Sequence, residues 1–215
     1  MNIVVYIVPL IALILGVTEV TGRKESMAVT LSQPLRRIDY LLGTYLGVAG
    51  ALSTALMIGL GGAGVLIAVQ TSTASIAGYL TLLAASLGLM LSFLSLAFLV
   101  GVFLLDRLKS TAAAIVIWFV TVVGYDLALI GVTSVLRGLP LKSLLIPAIL
   151  LNPVDISRVM VTLASERGAL FGPAGATLVE VFGHGGGALL AAGAMLAQIV
   201  VPLVIAAMLF GRRDL

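Results

Sequence analysis

Cysteine is absent from the 215-residue sequence, and histidine occurs once, at His184. The missing thiols exclude disulfide bonds, thiol chemistry and thiolate metal sites, and a lone histidine leaves too few ligands for a tight transition-metal site. The sequence also lacks a G-x-x-x-x-G-K-[ST] phosphate loop and a G-x-S-x-G nucleophile turn. No nucleophile and base are suitably paired. We therefore predict no catalytic residues, no metal and no cofactor, and we do not expect an enzyme.

Charged residues are scarce. They make up 10% of the sequence, whereas an ordinary soluble domain has about 25%. Hydrophobic residues make up 61%, and the mean hydropathy is +1.25. So few charges cannot cover a soluble surface, which predicts an integral membrane protein. The apolar runs are continuous, without the alternation of a β-barrel strand. The predicted fold class is therefore all-α, a polytopic helical membrane protein.

The apolar runs predict about five transmembrane helices, at about 2–17, 41–69, 76–105, 112–135 and 188–210. Between them, region 137–187 is rich in proline and glycine, and its apolar pieces are too short to cross a bilayer. We expect short external helices there, either re-entrant or on the membrane surface. Residues 184–187, His-Gly-Gly-Gly, predict a flexible external loop.

Most of the twelve lysines and arginines lie in three short segments, 21–40, 106–109 and the C-terminal tail. Basic residues in short loops mark the cytoplasmic side, so region 137–187 is predicted to be extracytoplasmic. This distribution is that of topology determinants in a multi-pass protein of the inner (cytoplasmic) membrane. It favours lipid as the surroundings and no nucleic acid partner.

Asp126, next to Tyr125, falls inside the fourth predicted span, where a charged side chain costs about 2.5 to 3.5 kcal/mol. Such residues usually face a bundle interior or an aqueous cavity. Two interpretations stay open. Asp126 contributes to a translocation path or a movable interface, or it lies near the external boundary and is hydrogen-bonded to neighbours or water.

Residues 152–158, Asn-Pro-Val-Asp-Ile-Ser-Arg, predict the start of an external helix. Asn152 can cap it, Pro153 suits the first helical position, and Asp155 favours the positive end of the helix dipole. Asp155 and Arg158 are three residues apart, so they can pair on one face. Taken alone, this element is structural.

Two glycine patterns predict close helix contacts. Residues 59–64 match G-x-G-x-x-G letter by letter, but they lie in a predicted span rather than after a strand. Gly43 and Gly47 have the G-x-x-x-G spacing that lets membrane helices approach closely.

Segment 21–40 is too charged to stay in lipid. Pro34 interrupts its helical turns. It is either a short helix on which a soluble partner can act or a plain solvated loop.

Together these pieces resemble the permease subunits of type-2 ABC exporters, and within them the NosY-like permeases that serve nitrous oxide reductase maturation. The resemblance runs over essentially the whole chain. It is carried by VPLIAL at 8–13, ES at 25–26, LSQPLRR at 31–37, LLG at 41–43, Trp118, YDL at 125–127, LLNPVD at 150–155, Arg158, GPAGA at 172–176 and FGRRDL at 210–215. The YDL and N-P-V-D-x-x-R elements, in this order, are the more specific ones.

The resemblance implies a single transmembrane permease domain over 1–215 with the type-2 ABC exporter permease fold. It implies a homodimer of the permease, a cytoplasmic ABC ATPase subunit and a periplasmic accessory protein. In that family a cytoplasmic segment couples ATP binding to helix movement, and here it maps onto 21–40. The residues implied for this coupling are Arg23, Lys24, Glu25, Arg36 and Arg37.

The sequence departs from the family pattern at three places. Family members begin with a cytoplasmic amphipathic helix and a further transmembrane helix, so either Met1 is not the native start or this is a shortened version. Met27-Ala28 replaces a usual Gly-Thr pair, and Thr44 replaces a usual lysine. Two alternatives therefore accompany the main hypothesis: a type-2 ABC permease for another substrate, or a non-transporting membrane anchor for a periplasmic accessory protein.

Overall fold

The computed structural model describes residues 2–22, 36–65, 74–135, 142–164 and 173–212. Arg23, Lys24 and Glu25 lie outside these residues. Within the described ranges all regular elements are helical, and no β-strand occurs among them. The all-α prediction is confirmed.

The described residues form a series of α-helices. In chain order they are α1 (Asn2–Gly22), α2 (Arg37–Leu56), α3 (Ala74–Leu104), α4 (Arg107–Phe119), α5 (Tyr125–Val135), α6 (Lys142–Leu151), α7 (Pro153–Ala164) and α8 (Pro173–Arg212). A π-helical turn, Met57–Gly61, extends α2, and a second, Val120–Gly124, joins α4 to α5. Between α3 and α4, Leu105 has a φ of 53°, and the Asp106 carboxylate accepts a hydrogen bond from the Lys109 backbone N–H at 2.9 Å. This N-cap begins α4.

Among the described residues, five helical segments are long and apolar enough to cross a membrane. They are Val4–Gly22, Arg37–Val65, Gly78–Leu104, Arg107–Val132 and Gly186–Gly211. The predicted spans agree with these segments to within a few residues at most ends. We call the end at which α1 finishes and α2 begins the basic end, because Arg36, Arg37 and Arg107 lie there.

The last helix is longer than the sequence predicts. α8 begins at Pro173, so residues 184–187 belong to a helix and the predicted flexible loop is wrong. Glycine lowers helix propensity in water by about 1 kcal/mol. In lipid, a backbone group outside a helix loses a hydrogen bond that water cannot replace, which costs several kcal/mol. Where this segment enters the last span at Gly186, the cost of a lost backbone hydrogen bond exceeds the cost of placing glycine in a helix.

α3 is the centre of the bundle and packs against α1, α2, α7 and α8. Its side chains Phe93 and Phe98 are fully buried. Two glycines bring α1 against α3: a Cβ atom added at Gly16 would lie 2.6 Å from the Ala97 Cβ, and one added at Gly101 would lie 2.8 Å from the Val20 Cβ. Only hydrogen fits at these positions, so the backbone of each glycine packs directly against side chains of the other helix.

The glycines of the two patterns noted in the sequence do not pack in the same way as Gly16 and Gly101. A Cβ atom added at Gly43 or Gly47 would have no atom of the described residues within 4 Å. The predicted close contact is therefore not formed within this part of the chain, and it remains a prediction only for contact with another molecule. In the second pattern Gly64 packs directly against the Tyr79 ring, and the Tyr79 hydroxyl donates to the Leu60 carbonyl oxygen.

α6 and α7 form a helical hairpin, which packs between α3 and α8. We refer to residues 148–152, where the two helices meet, as its tip. Ile156 of α7 is fully buried in a cluster with Ala191 and Met195 of α8. The hairpin is thus an integral part of the helical bundle.

Candidate functional site

The hairpin turns at Asn152, where the helical backbone is interrupted. The Asn152 side-chain oxygen accepts from the Val154 N–H at 3.1 Å, and its backbone carbonyl accepts from the Ile156 N–H at 3.1 Å. Pro153 occupies the first position of α7, where its missing N–H costs nothing. The predicted helix start at Asn152 is confirmed.

The end of α6 leaves carbonyl groups without helical donors. The Tyr125 hydroxyl donates to the Ala148 carbonyl at 2.5 Å, and the Gln198 side-chain amide donates to the Leu150 carbonyl at 2.9 Å. The Asn152 backbone N–H faces the Ile149 carbonyl at 3.4 Å. Because lipid offers no donors, these contacts hold the tip to both α5 and α8.

The tip lies near the middle of the bundle. The Asn152 amide donates to the Thr121 carbonyl at 2.9 Å. Thr121 is near the midpoint of the Arg107–Val132 span, and Gln198 is near that of the Gly186–Gly211 span. Of the two kinds of external helix expected from the sequence, the re-entrant kind fits this depth. Thr121 belongs to the π-helical turn, an irregularity that is frequent at functional sites.

Arg158 joins the hairpin to the fourth span. Its Nη1 atom lies 2.8 Å from both carboxylate oxygens of Asp126 and 3.3 Å from Asp155 Oδ1. The Asp126 and Arg158 side chains are 31% and 30% exposed, whereas that of Asp155 is 10% exposed. The predicted Asp155–Arg158 pair is confirmed. The contact between Asp126 and Arg158, 32 residues apart, was not predicted.

One signal could have suggested this second contact. A carboxylate inside a span needs a partner, and few basic residues follow Asp126 before the last span: Arg137, Lys142, Arg158 and Arg167. Among these, Arg158 alone is in the N-P-V-D-x-x-R element. The geometry shows that Asp126 is hydrogen-bonded to a neighbouring side chain, and it leaves both interpretations open: a contribution to a translocation path or a movable interface, or a structural position near the external boundary.

The cluster of Asp126, Asp155 and Arg158 carries two acidic groups and one basic group. The Arg158 Nη1 atom lies 2.8 Å from Asp126 Oδ1 and 3.3 Å from Asp155 Oδ1, so one guanidinium group compensates both carboxylates.

The first span also reaches this region. The Trp118 indole N–H donates to the Tyr6 carbonyl at 2.9 Å, which ties α1 to α4. Three elements therefore meet around the tip, namely the α4–α5 span, the hairpin and α8, and α1 is tied to the first of them.

The residues predicted to couple to an ATPase lie elsewhere. Arg36 precedes α2 with an extended backbone and is exposed, and Arg37 is the first residue of that helix. Both are at the basic end, next to a cleft of about 600 Å³ lined by residues of α1 and α2, among them Glu19 and Asp39. The structure therefore separates Arg36 and Arg37 from the Asp126–Arg158 cluster, and in the part of the chain that the structure describes the two sites are connected by helices.

Comparison with known proteins gives a consistent assignment. The family model of the ABC-2 family transporter protein matches residues 1–215. The chain is 30% identical over 165 residues to a protein of Pseudomonas aeruginosa named "Probable ABC transporter permease protein NosY", and 28% identical over 167 residues to a protein of Stutzerimonas stutzeri with the same name. Each match covers 74% of this chain and 60% of the relative, so the chain spans about 60% of the length of these curated relatives. With five helices able to cross a membrane and a family match over its full length, the chain belongs to the ABC-2 family of transporter proteins.

Proposed function

We propose that this multi-pass membrane protein is the permease subunit of an ABC transporter that supports maturation of the copper-sulfide cluster of nitrous oxide reductase. Its family implies an ATPase partner, which binds on the cytoplasmic side. The remaining parts of the proposal are a homodimer of the permease in the inner membrane and a periplasmic accessory protein. They are supported by the NosY relatives and by the sequence resemblance.

The observation that carries the proposal is the contact between Asp126 and Arg158 at 2.8 Å. The two elements that resemble the NosY-like branch most narrowly are YDL at 125–127 and N-P-V-D-x-x-R at 152–158. They are distant in sequence, and they meet at this ion pair. A shared site for the two elements is what a common function requires.

Under this proposal the ends of the bundle have different tasks. Segment 21–40 receives the movement of the ATPase, and Arg36 and Arg37 are its described basic residues. Region 150–187 faces the accessory protein, and the hairpin responds to the movement of the spans. The Asp126–Arg158 pair is part-exposed, so it can open when α5 and α7 move apart.

The first test is purification of the tagged chain from its native membrane, followed by mass spectrometry of the co-eluting proteins. A stoichiometric ATPase together with a periplasmic protein supports the full proposal. An ATPase without that periplasmic protein keeps the permease and removes the nitrous oxide reductase link. Without any ATPase, the non-transporting anchor becomes the better hypothesis.

The second test replaces Asp126 by leucine in a host whose own copy is deleted. We expect Asp126→Leu to reach the membrane in normal amount and to abolish maturation of the reductase. Val116, 61% exposed on the same span, offers a control outside both elements, and Val116→Ala should support normal maturation. Normal maturation with Asp126→Leu would remove the functional role of this carboxylate.

A further inference from the structure

α8 connects the two sites that the proposed function separates. At the basic end, a Cβ atom added at Gly211 would lie 3.8 Å from the Ile38 side chain, and Ile38 directly follows Arg36 and Arg37. Phe210, the preceding residue of α8, is fully buried in the core. The start of α2 and the end of α8 are therefore neighbours, and a displacement of one acts on the other.

Halfway along the same helix, Gln198 contacts the hairpin tip. Its amide donates to the Leu150 carbonyl at 2.9 Å, while its own side-chain oxygen is buried with no hydrogen-bond partner among the described residues. A buried amide with one unsatisfied atom costs free energy. Leucine or another apolar side chain would avoid this cost, so the presence of glutamine here points to a role for its donor.

The backbone at this position is also special. Pro202 lies inside α8, and it has no N–H to donate to the carbonyl of Gln198, four residues earlier. The helix thus lacks one of its own hydrogen bonds between Gln198 and the basic end. A helix with such a gap bends more easily there.

We propose that Gln198 is a positioning residue. Through the Leu150 carbonyl it makes the hairpin tip, and with it the Asp126–Arg158 pair, follow the bending of α8 at Pro202. The route is short, because Leu150 is two residues from Asn152, whose amide contacts both Thr121 and Asp155 at 2.9 and 3.3 Å. This inference rests on the proposed function, which supplies the movement to be transmitted.

The test is a double-mutant cycle on ATP turnover by the complex of this chain with its co-purified ATPase. Gln198→Leu should change turnover about threefold, the effect of one average interhelical hydrogen bond in a membrane protein. In an Arg158→Gln background the same substitution should have no further effect, because both changes act on one connection. Independent effects that multiply in the double variant would overturn the inference.

A pH profile separates positioning from packing. Gln198→Glu keeps the shape of the side chain, and its carboxyl group can donate to the Leu150 oxygen only when protonated. At each pH the turnover of this variant is divided by that of the wild type. This ratio should approach one at low pH and fall as the carboxyl group ionises. A ratio that is the same at every pH contradicts a role for the donor. Leu196→Ala, at a residue that is 61% exposed, is the control and should leave turnover unchanged.

A second measurement needs no ATPase, so it keeps the inference testable if the proposed function fails. Because the chain has no cysteine, spin labels can be attached at Leu151→Cys and Leu196→Cys without further changes. These two positions are 76% and 61% exposed. Gln198→Leu should broaden the distance distribution between the labels in the purified chain. An unchanged distribution would show that Gln198 does not hold the tip.

Discussion

The free energy held in the Asp126–Arg158 pair can be measured by a double-mutant cycle. An exposed ion pair contributes about 0.2–1 kcal/mol, and breaking a buried one costs about 3–5 kcal/mol. The two side chains are 31% and 30% exposed, which places this pair between those limits. We therefore expect a coupling energy of about 1–2 kcal/mol between the two positions.

The two single substitutions should differ in cost. Asp126→Asn leaves Arg158 with Asp155 at 3.3 Å, so its charge stays compensated, and we expect a loss of about 1 kcal/mol. Arg158→Gln leaves two carboxylates without their counter-charge, and we expect a loss of about 3 kcal/mol. The double variant should be more stable than Arg158→Gln alone, because one of the uncompensated charges is then removed.

The assay is the free energy of unfolding in detergent micelles, measured by titration with a denaturing detergent and followed by circular dichroism. Arg107, exposed at the opposite end of the fourth span, provides the control. Asp126→Asn and Arg107→Gln should have additive effects. If Asp126→Asn and Arg158→Gln are additive as well, the contact contributes nothing to stability and the reasoning fails.

Two further predictions concern other parts of the chain. Replacing both Arg36 and Arg37 by glutamate should uncouple ATP turnover of the partner from this chain; unchanged coupling in the purified complex would favour the anchor. Gly16→Val should destabilise the fold by about 1–3 kcal/mol through overpacking, whereas Gly43→Ala, into open space, should unfold at the wild-type detergent concentration.

The spans and the hairpin turn could be predicted from the sequence because they depend on local properties. Apolar runs identify membrane helices by composition alone. The helix start at Asn152-Pro153 depends only on atoms of these residues and of the first helical turn. The loop predicted at 184–187 was wrong because glycine propensity was given more importance than the demand of lipid for backbone hydrogen bonds.

The partners within the candidate site could not be predicted in the same way. The cost of a charge in lipid shows that Asp126 needs a partner, but the choice of Arg158 depends on how the hairpin packs between α3 and α8. The close helix contacts at Gly16 and Gly101 involve one glycine from each helix, so no spacing within either helix reveals them. Gly43 and Gly47 have that spacing, and they face open space within the described chain.

The π-helical turn Val120–Gly124 has a consequence for the face on which the site is built. A π turn contains one residue more than an α turn, and each residue of an α-helix advances the azimuth by about 100°. Tyr125 and Asp126 therefore project about a quarter-turn away from where an uninterrupted α-helix would place them. The phase of α5 relative to α4 is thus fixed by the number of residues in this turn rather than by their side chains. A substitution among its valines preserves that phase, whereas the loss of a single residue would rotate Asp126 away from Arg158.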